Sequence, residues 1–341
     1  MSPDLFLAAH GYAAAARAPL PGDAGHRRYL RLTGGPRPAL LMDGSGAAAV
    51  GLPSAEADLR AFMAIAAHLR RLGLSAPEVL AADPPAGLLL LEDLGEPTHA
   101  TLLDAGAEPM PLYLAAAETL AALHAAPPPP GLPAWEGEAM ARATAATFLD
   151  WWWPAALGAE PTGAQRAAFQ AAMRAMLAPF EGAGSFVHRD YFPANLLPLP
   201  GRPGPASVGI IDFQDAGQGH PAYDLVSLLQ DARRDVPPAV RQAATARYLA
   251  ARPGLDREAF EAATAAMAAQ RHLRVAALWV RLDRRDKKPH YLRHGPRCWR
   301  LLDEALRHPA TAPLAAFLDE HVPRRLRANP QGANPQMEPA A

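Results

Sequence analysis

The 341-residue chain has a single cysteine, Cys298. That excludes a disulfide framework and a cysteine-based metal site. Lysine is almost absent: Lys287 and Lys288 are the only two, and arginine carries the rest of the positive charge. With a net charge of −1 there is no basic field for nucleic acid and no polybasic membrane patch. No apolar run approaches the length of a membrane span. The first residues, Met1-Ser2-Pro3-Asp4, lack the basic start and apolar centre of a signal peptide. These absences lead us to expect a cytoplasmic, monomeric enzyme for a small-molecule substrate, with neither nucleic acid nor membrane as partner. Apolar residues make up 50% of the chain, enough to fill the core of a two-part fold.

What is present concentrates in residues 185–215. The run His188-Arg189-Asp190 is followed by Asn195. A short apolar stretch, Val208 to Ile211, then ends on Asp212-Phe213-Gln214-Asp215. Phosphoryl transfer from ATP needs a carboxylate to orient the attacking hydroxyl and take its proton. It also needs oxygen ligands to hold Mg²⁺ on the phosphates. Asp190 is the candidate base, and Asn195 and Asp212 are the candidate metal ligands. The order matches the kinase pattern of His-Arg-Asp, four residues, Asn, then Asp-Phe, although Gln214 stands where protein kinases have glycine.

The rest of the chain predicts an α+β, bilobal kinase-like fold. Residues 1–95 would form a small antiparallel-sheet lobe, 96–325 a larger helical lobe, and 326–341 a disordered tail. We expect a helix over 4–18 and a turn at 21–26 able to lay backbone N–H groups on phosphates. A hairpin follows, built from 27–32 and 38–43. Residues 54–73 read as an amphipathic helix capped by Ser54, with Glu56 or Asp58 offered to a basic residue on the sheet. Strands at 77–80 and 87–95 lead to a hinge, where Glu92, Asp93 and Leu94 are candidate nucleotide contacts. Beyond it, helices are expected at 110–124, 135–157, 163–180, 237–252, 256–283 and 299–307. The tryptophans at 151–153 read as core. Gln214, Asp215 and Asp231 are candidate contacts to a polar acceptor, and Asp224 is a structural helix-start residue.

Several blocks together resemble the aminoglycoside phosphotransferase family of kinase-fold enzymes. Within it they resemble the bacterial cell-wall sugar kinases acting on N-acetylmuramate and N-acetylglucosamine. The blocks are Gly22 to Arg31, Val187 to Leu197, Ile210 to Ala216, Tyr223 to Asp231, and Gln270 to Arg274 with the segment to Arg297. The resemblance implies ATP and Mg²⁺ between a five-stranded lobe and a helical lobe. It implies phosphorylation of an anomeric hydroxyl in peptidoglycan recycling. Asp190 would be the base, with Asn195 and Asp212 on the metal. Arg271 or Arg274 would be available to a lactyl carboxylate. Two departures stand out. Gly25 replaces a usual serine. No lysine precedes residue 287, so the ATP-contacting lysine of protein kinases has no counterpart, and Arg28 or Arg31 is the candidate substitute. Other acceptors in the family, such as an aminoglycoside, choline or homoserine, and a non-catalytic nucleotide-binding module are the rival readings.

Overall fold

The structure is a computed structural model that describes residues 2–20, 28–44 and 55–330. The expected phosphate-covering turn at 21–26 and the Ser54 cap lie outside the described residues. Helix α1 (Pro3–Ala9) starts at Ser2, whose hydroxyl accepts the Leu5 N–H. It ends before Gly11, which takes a left-handed φ of 83°. The single helix expected over 4–18 is therefore a short helix followed by strand β1 (Ala16–Pro19). All four β1 residues are exposed. The strand is imposed by pairing with β2 (Arg28–Thr33), not by an apolar alternation of its own.

Strands β3 (Ala39–Asp43), β4 (Val79–Asp83) and β5 (Leu88–Glu92) complete an antiparallel five-stranded sheet of order β1-β2-β3-β5-β4. Leu32, Ala39, Leu41, Leu88 and Leu90 pack with Phe6, Leu7 and Tyr12 in one apolar cluster. The alternate residues Leu89 and Leu91 are buried too, so β5 is apolar on both faces, as its unbroken leucine run suggests. Helix α2 (Ala55–Arg71) buries Leu59, Phe62, Ala66 and Leu69, the helical stripe read from the sequence. Helices α3 (His99–Asp104) and α4 (Pro109–Ala125) follow.

The chain divides into two compact units, but not at residue 95. The first comprises residues 1–131 and 188–216, and the second 132–187 and 217–341. Hydrogen bonds explain why α4 and the motif segment belong with the sheet. The Tyr191 hydroxyl donates to Ala116 O (2.9 Å) and the Thr119 hydroxyl to Pro205 O (2.9 Å). Ser75 donates to Ala206 O (2.6 Å), while its own carbonyl accepts from Ile210 N (2.7 Å).

In the second unit, β6 (Ala134–Trp135) leads to α5 (Gly137–Thr147), a π-helical turn at Phe148–Trp152, α6 (Trp153–Leu157), α7 (Gly163–Leu177) and β7 (Ser185–Val187). The chain crosses into the first unit for β8 (Leu196–Pro198) and β9 (Val208–Ile210), which pair antiparallel. It returns as β10 (Gly217–Gly219), the middle strand between β6 and β7. A Cβ at Gly219 would collide with the Trp135 carbonyl, so glycine permits this close strand approach. Helices α8 (Ala222–Leu229), α9 (Pro238–Ala250), α10 (Arg257–Arg284), α11 (Gly295–Ala305) and α12 (Ala312–His321) finish the unit. Trp152 and Trp153 are core residues, and Trp152 stacks on Phe148 with centroids 5.0 Å apart. The first residues of the segment expected as a tail, 326–330, are described and hold contacts within the second unit. The Trp152 indole donates to Ala328 O (2.8 Å), and Asn329 bonds both the Trp299 indole (2.9 Å) and Ala276 O (3.0 Å). Among the described residues no helix is long and apolar enough to cross a membrane.

Candidate active site

The motif segment brings Asp190, Asn195, Asp212 and Gln214 together inside the first unit. Arg189 and Asp212 adopt left-handed φ values of 73° and 61°. Such backbone is uncommon outside glycine and persists where surroundings enforce it. Here the enforcement is a set of cross-links. His188 Nε2 lies 3.0 Å from Ile211 O, and Ile211 N donates to Asn195 O (3.1 Å). Arg189 Nη1 donates to Asp215 O (3.0 Å). The Asn195 amide donates to Asp190 O (2.9 Å) and reaches toward Asp212 Oδ2 (3.4 Å). Gln214 Nε2 donates to Asp212 Oδ1 (2.8 Å). Phe213 is fully buried against Phe62 of α2, ring centroids 4.8 Å apart, and anchors the turn that presents Asp212.

Asp212 reaches solvent yet is crowded by protein, and that crowding pushes its carboxyl pKa upward. The Gln214 amide and His188 pull it down, while Asp190 and Asp215 push it up again. Among the described residues no group of three or more His, Cys, Asp or Glu side chains is placed to hold a metal ion, so a cation here would draw on Asp212 and on oxygen ligands other than carboxylates. The Asn195 amide nitrogen is occupied by the Asp190 carbonyl, which leaves the amide oxygen as the side chain's candidate hard ligand. One carboxylate and one amide oxygen are ligands of the kind a small divalent cation prefers.

The substrate readings from the sequence divide. Gln214 holds Asp212, a role its position two residues further along did not reveal. Asp215 is exposed, as an acceptor contact requires. Asp231 and Arg271, the other two candidate acceptor contacts, lie in the second unit and are both interior. Asp231 is 4% exposed, and burial raises its pKa against the pull of the Arg233 N–H and the nearby Arg233, Arg271 and Arg234 charges. Arg271 is 2% exposed, with its guanidinium 5.4 Å from the Tyr223 ring centre.

The nucleotide readings divide too. Arg31 is spent on the segment after β5. Its Nε and Nη2 grip Asp93 at 2.6 and 3.2 Å, its Nη1 meets Glu96 at 2.5 Å, and Nη2 reaches Gly95 O at 3.5 Å. That corrects its candidacy as the phosphate-compensating charge. Arg28 stays exposed on β2, in register with Asp43, and retains that candidacy. The Glu92 N–H donates to Glu78 O (2.8 Å) within the sheet and is unavailable to a base. Its carboxylate takes Arg202 (2.6 Å), Arg70 (3.3 Å) and the Glu78 N–H (3.1 Å). Leu94 packs against β9, where a Cβ added to Gly209 would lie 3.0 Å from its Cδ1. Glu56 pairs with Arg60 on its own helix (2.7 Å), not with a basic residue of the sheet.

Residues 17–260 match the model of the phosphotransferase enzyme family. The chain belongs to that family. This phosphotransferase is 41% identical to the N-acetylmuramate/N-acetylglucosamine kinase of Caulobacter vibrioides, over 94% of this chain and 96% of that protein. It is 35% identical to the enzyme of the same name from Pseudomonas aeruginosa, covering 93% and 92%. Among solved structures, a choline/ethanolamine kinase family protein from Mesorhizobium loti superposes with a TM-score of 0.58 at 16% identity, over 89% of this chain and 92% of that one. That likeness fixes the kinase-like α+β fold. The phosphotransferase accordingly keeps the Asp190, Asn195 and Asp212 set within a fold made for phosphoryl transfer.

Proposed function

We propose that this phosphotransferase moves the γ-phosphoryl group of ATP to the anomeric hydroxyl of N-acetylmuramate or N-acetylglucosamine, giving the sugar 1-phosphate. The observation that carries the reading is the convergence of Asp190, Asn195 and Asp212 in a chain this similar to two kinases of those sugars. Asp190 orients the acceptor hydroxyl and takes its proton as the oxygen attacks phosphorus. Asn195 and Asp212 would hold Mg²⁺. When bound there, the ion supplies charge neutralisation on the nucleotide phosphates. Gln214 keeps the Asp212 carboxylate aimed, so its position costs no reorganisation during transfer. Arg28 is the candidate for the charge that protein kinases draw from lysine. Asp215, exposed beside this group, is the candidate acceptor contact. Such a product fits recovery of cell-wall sugars in the cytoplasm.

ADP release with N-acetylmuramate, N-acetylglucosamine, an aminoglycoside, choline and homoserine tests the proposal. Turnover confined to the two amino sugars, with ³¹P NMR showing a sugar 1-phosphate, is the expected result. Turnover of a cationic acceptor with silence on both amino sugars would overturn it.

A further inference from the structure

The four residues that follow β5 are held unusually firmly. Arg31 reaches them from β2, and β3 lies between β2 and β5, so the contact spans a whole strand. Its Nε and Nη2 meet the two oxygens of Asp93 side-on, while Nη1 takes Glu96. The Asp93 carboxylate also accepts the Gly95 N–H (2.9 Å), and Gly95 completes the turn with a left-handed φ of 91°. The Arg31 and Asp93 side chains are only 22% and 8% exposed, so water competes little for this two-pronged pair. Leu94 packs against Gly209 of β9, the strand that leads into Asp212. All of these residues belong to the first unit. What the contacts leave open is backbone. The N–H groups of Glu92 and Gly95 are taken by Glu78 O and by Asp93. Among the described residues, the N–H and C=O groups of Asp93 and Leu94 make no hydrogen bond, although both residues are half-buried. Peptide groups shielded in this way call for a partner.

We propose that Arg31 is a positioning residue for the nucleotide base: its grip on Asp93 and Glu96 fixes the open Asp93–Leu94 backbone edge so that the edge pairs with adenine and rejects guanine. Adenine presents an amino donor at N6 beside an acceptor at N1. Guanine presents an acceptor at O6 beside a donor at N1, the reverse order. A rigid edge that matches one purine meets the other donor to donor and acceptor to acceptor, leaving shielded groups unpaired. An edge free to slide by one peptide group reverses its own order and admits both. Selection therefore follows from rigidity, which a planar guanidinium fork supplies and a point charge does not. The inference rests on the proposed function in one respect: the phosphoryl donor is taken to be ATP.

Titration calorimetry with ADP and with GDP, in Mg²⁺ and without an acceptor, reads base selection without turnover. The unmodified full chain should bind ADP about a hundredfold more tightly than GDP, and equal affinities or no binding of either would overturn the proposal. In Arg31→Gln that preference should fall about tenfold. Arg31→Lys, which keeps the charge and loses the fork, should show a smaller fall in the same direction. Initial rates with ATP and GTP at a saturating amino sugar should place the fall in the nucleotide KM and not in kcat, a split that general loosening of the sheet would not give. A preference in Arg31→Gln equal to that of the unmodified chain, however much both affinities drop, overturns the role of Arg31. Should Arg31→Gln fail to fold, the same ratio in Arg31→Lys decides, and an unchanged ratio there overturns it. Should neither amino sugar be phosphorylated, the proposed function fails, and the calorimetry alone still decides the role of Arg31.

Discussion

Asp190 is positioned through its backbone: its carbonyl accepts both the Asn195 amide and the Phe192 N–H (3.1 Å). Replacing the carboxylate therefore should leave the loop intact. Asp190→Asn is expected to lower kcat by about 10²- to 10⁴-fold while nucleotide affinity, read by titration calorimetry, stays within about twofold. Near-normal turnover would remove Asp190 from the mechanism. Of the two arginines of β2, Arg31 is held by Asp93 and Glu96, which leaves Arg28 as the candidate for the missing lysine's charge. Arg28→Ala should raise the apparent KM for ATP by about tenfold. If ATP dependence is unchanged in Arg28→Ala, that assignment fails. At this scale the sequence was legible where chemistry dictates residue type and spacing, as with Asp190, Asn195 and Asp212. It was opaque where partners lie far apart in the chain. Arg31 and Asp93 are 62 positions apart, and nothing in either local stretch announces their ion pair.

At the scale of elements, Glu92 ties β5 to β4, to the end of α2 through Arg70, and to Arg202 in the segment between β8 and β9. It is 12% exposed, whereas Glu56, paired along α2, is 42% exposed. Loss of the first leaves several partners unmatched in a shielded place; loss of the second is screened by water. Glu92→Ala should cost about 2–3 kcal/mol in urea unfolding, and Glu56→Ala no more than about 0.5 kcal/mol. Equal losses would mean that the cluster contributes as surface pairs do. Periodicity made α2, the β2–β3 hairpin and β5 legible. Strand β1 was not, since Ala-Arg-Ala-Pro has no alternation and owes its state to its neighbour. The helix expected over 135–157 starts only after β6, at Gly137, and is interrupted by the π-helical turn at 148–152. That turn lets Phe148, Leu149 and Trp152 all face inward, a tertiary demand that a 3.6-residue period conceals.

For the whole molecule, pH is the simplest probe. Burial holds His272 near a pKa of about 3, helped by the Arg271, Arg241 and Arg300 charges, and burial alone holds His99 at about 4. Their unfolded values lie near 6.5, so below that pH the unfolded chain takes up protons that the folded chain refuses. Stability is full above about pH 6.5 and falls toward pH 4, by about 2 kcal/mol for each histidine at pH 5. The raised carboxyls of Asp212 and Asp231 work in the opposite sense, so the comparison must be made between variants. His272→Gln should flatten the decline in urea midpoint between pH 7.5 and 5. An unaltered pH dependence would show that His272 does not resist protonation.

The division into units was not legible, because no composition shift marks where residues 188–216 rejoin the first unit. That excursion also sets an order of assembly during synthesis. Ser75 cannot receive the Ile210 N–H, nor Phe62 its contact with Phe213, until the chain has been made past residue 213. At translation rates of about 5–20 residues per second, the newborn five-stranded sheet and α2 wait several seconds for the separate β8–β9 pair of their own unit. In that interval their exposed apolar surface is a target for chaperones on the ribosome.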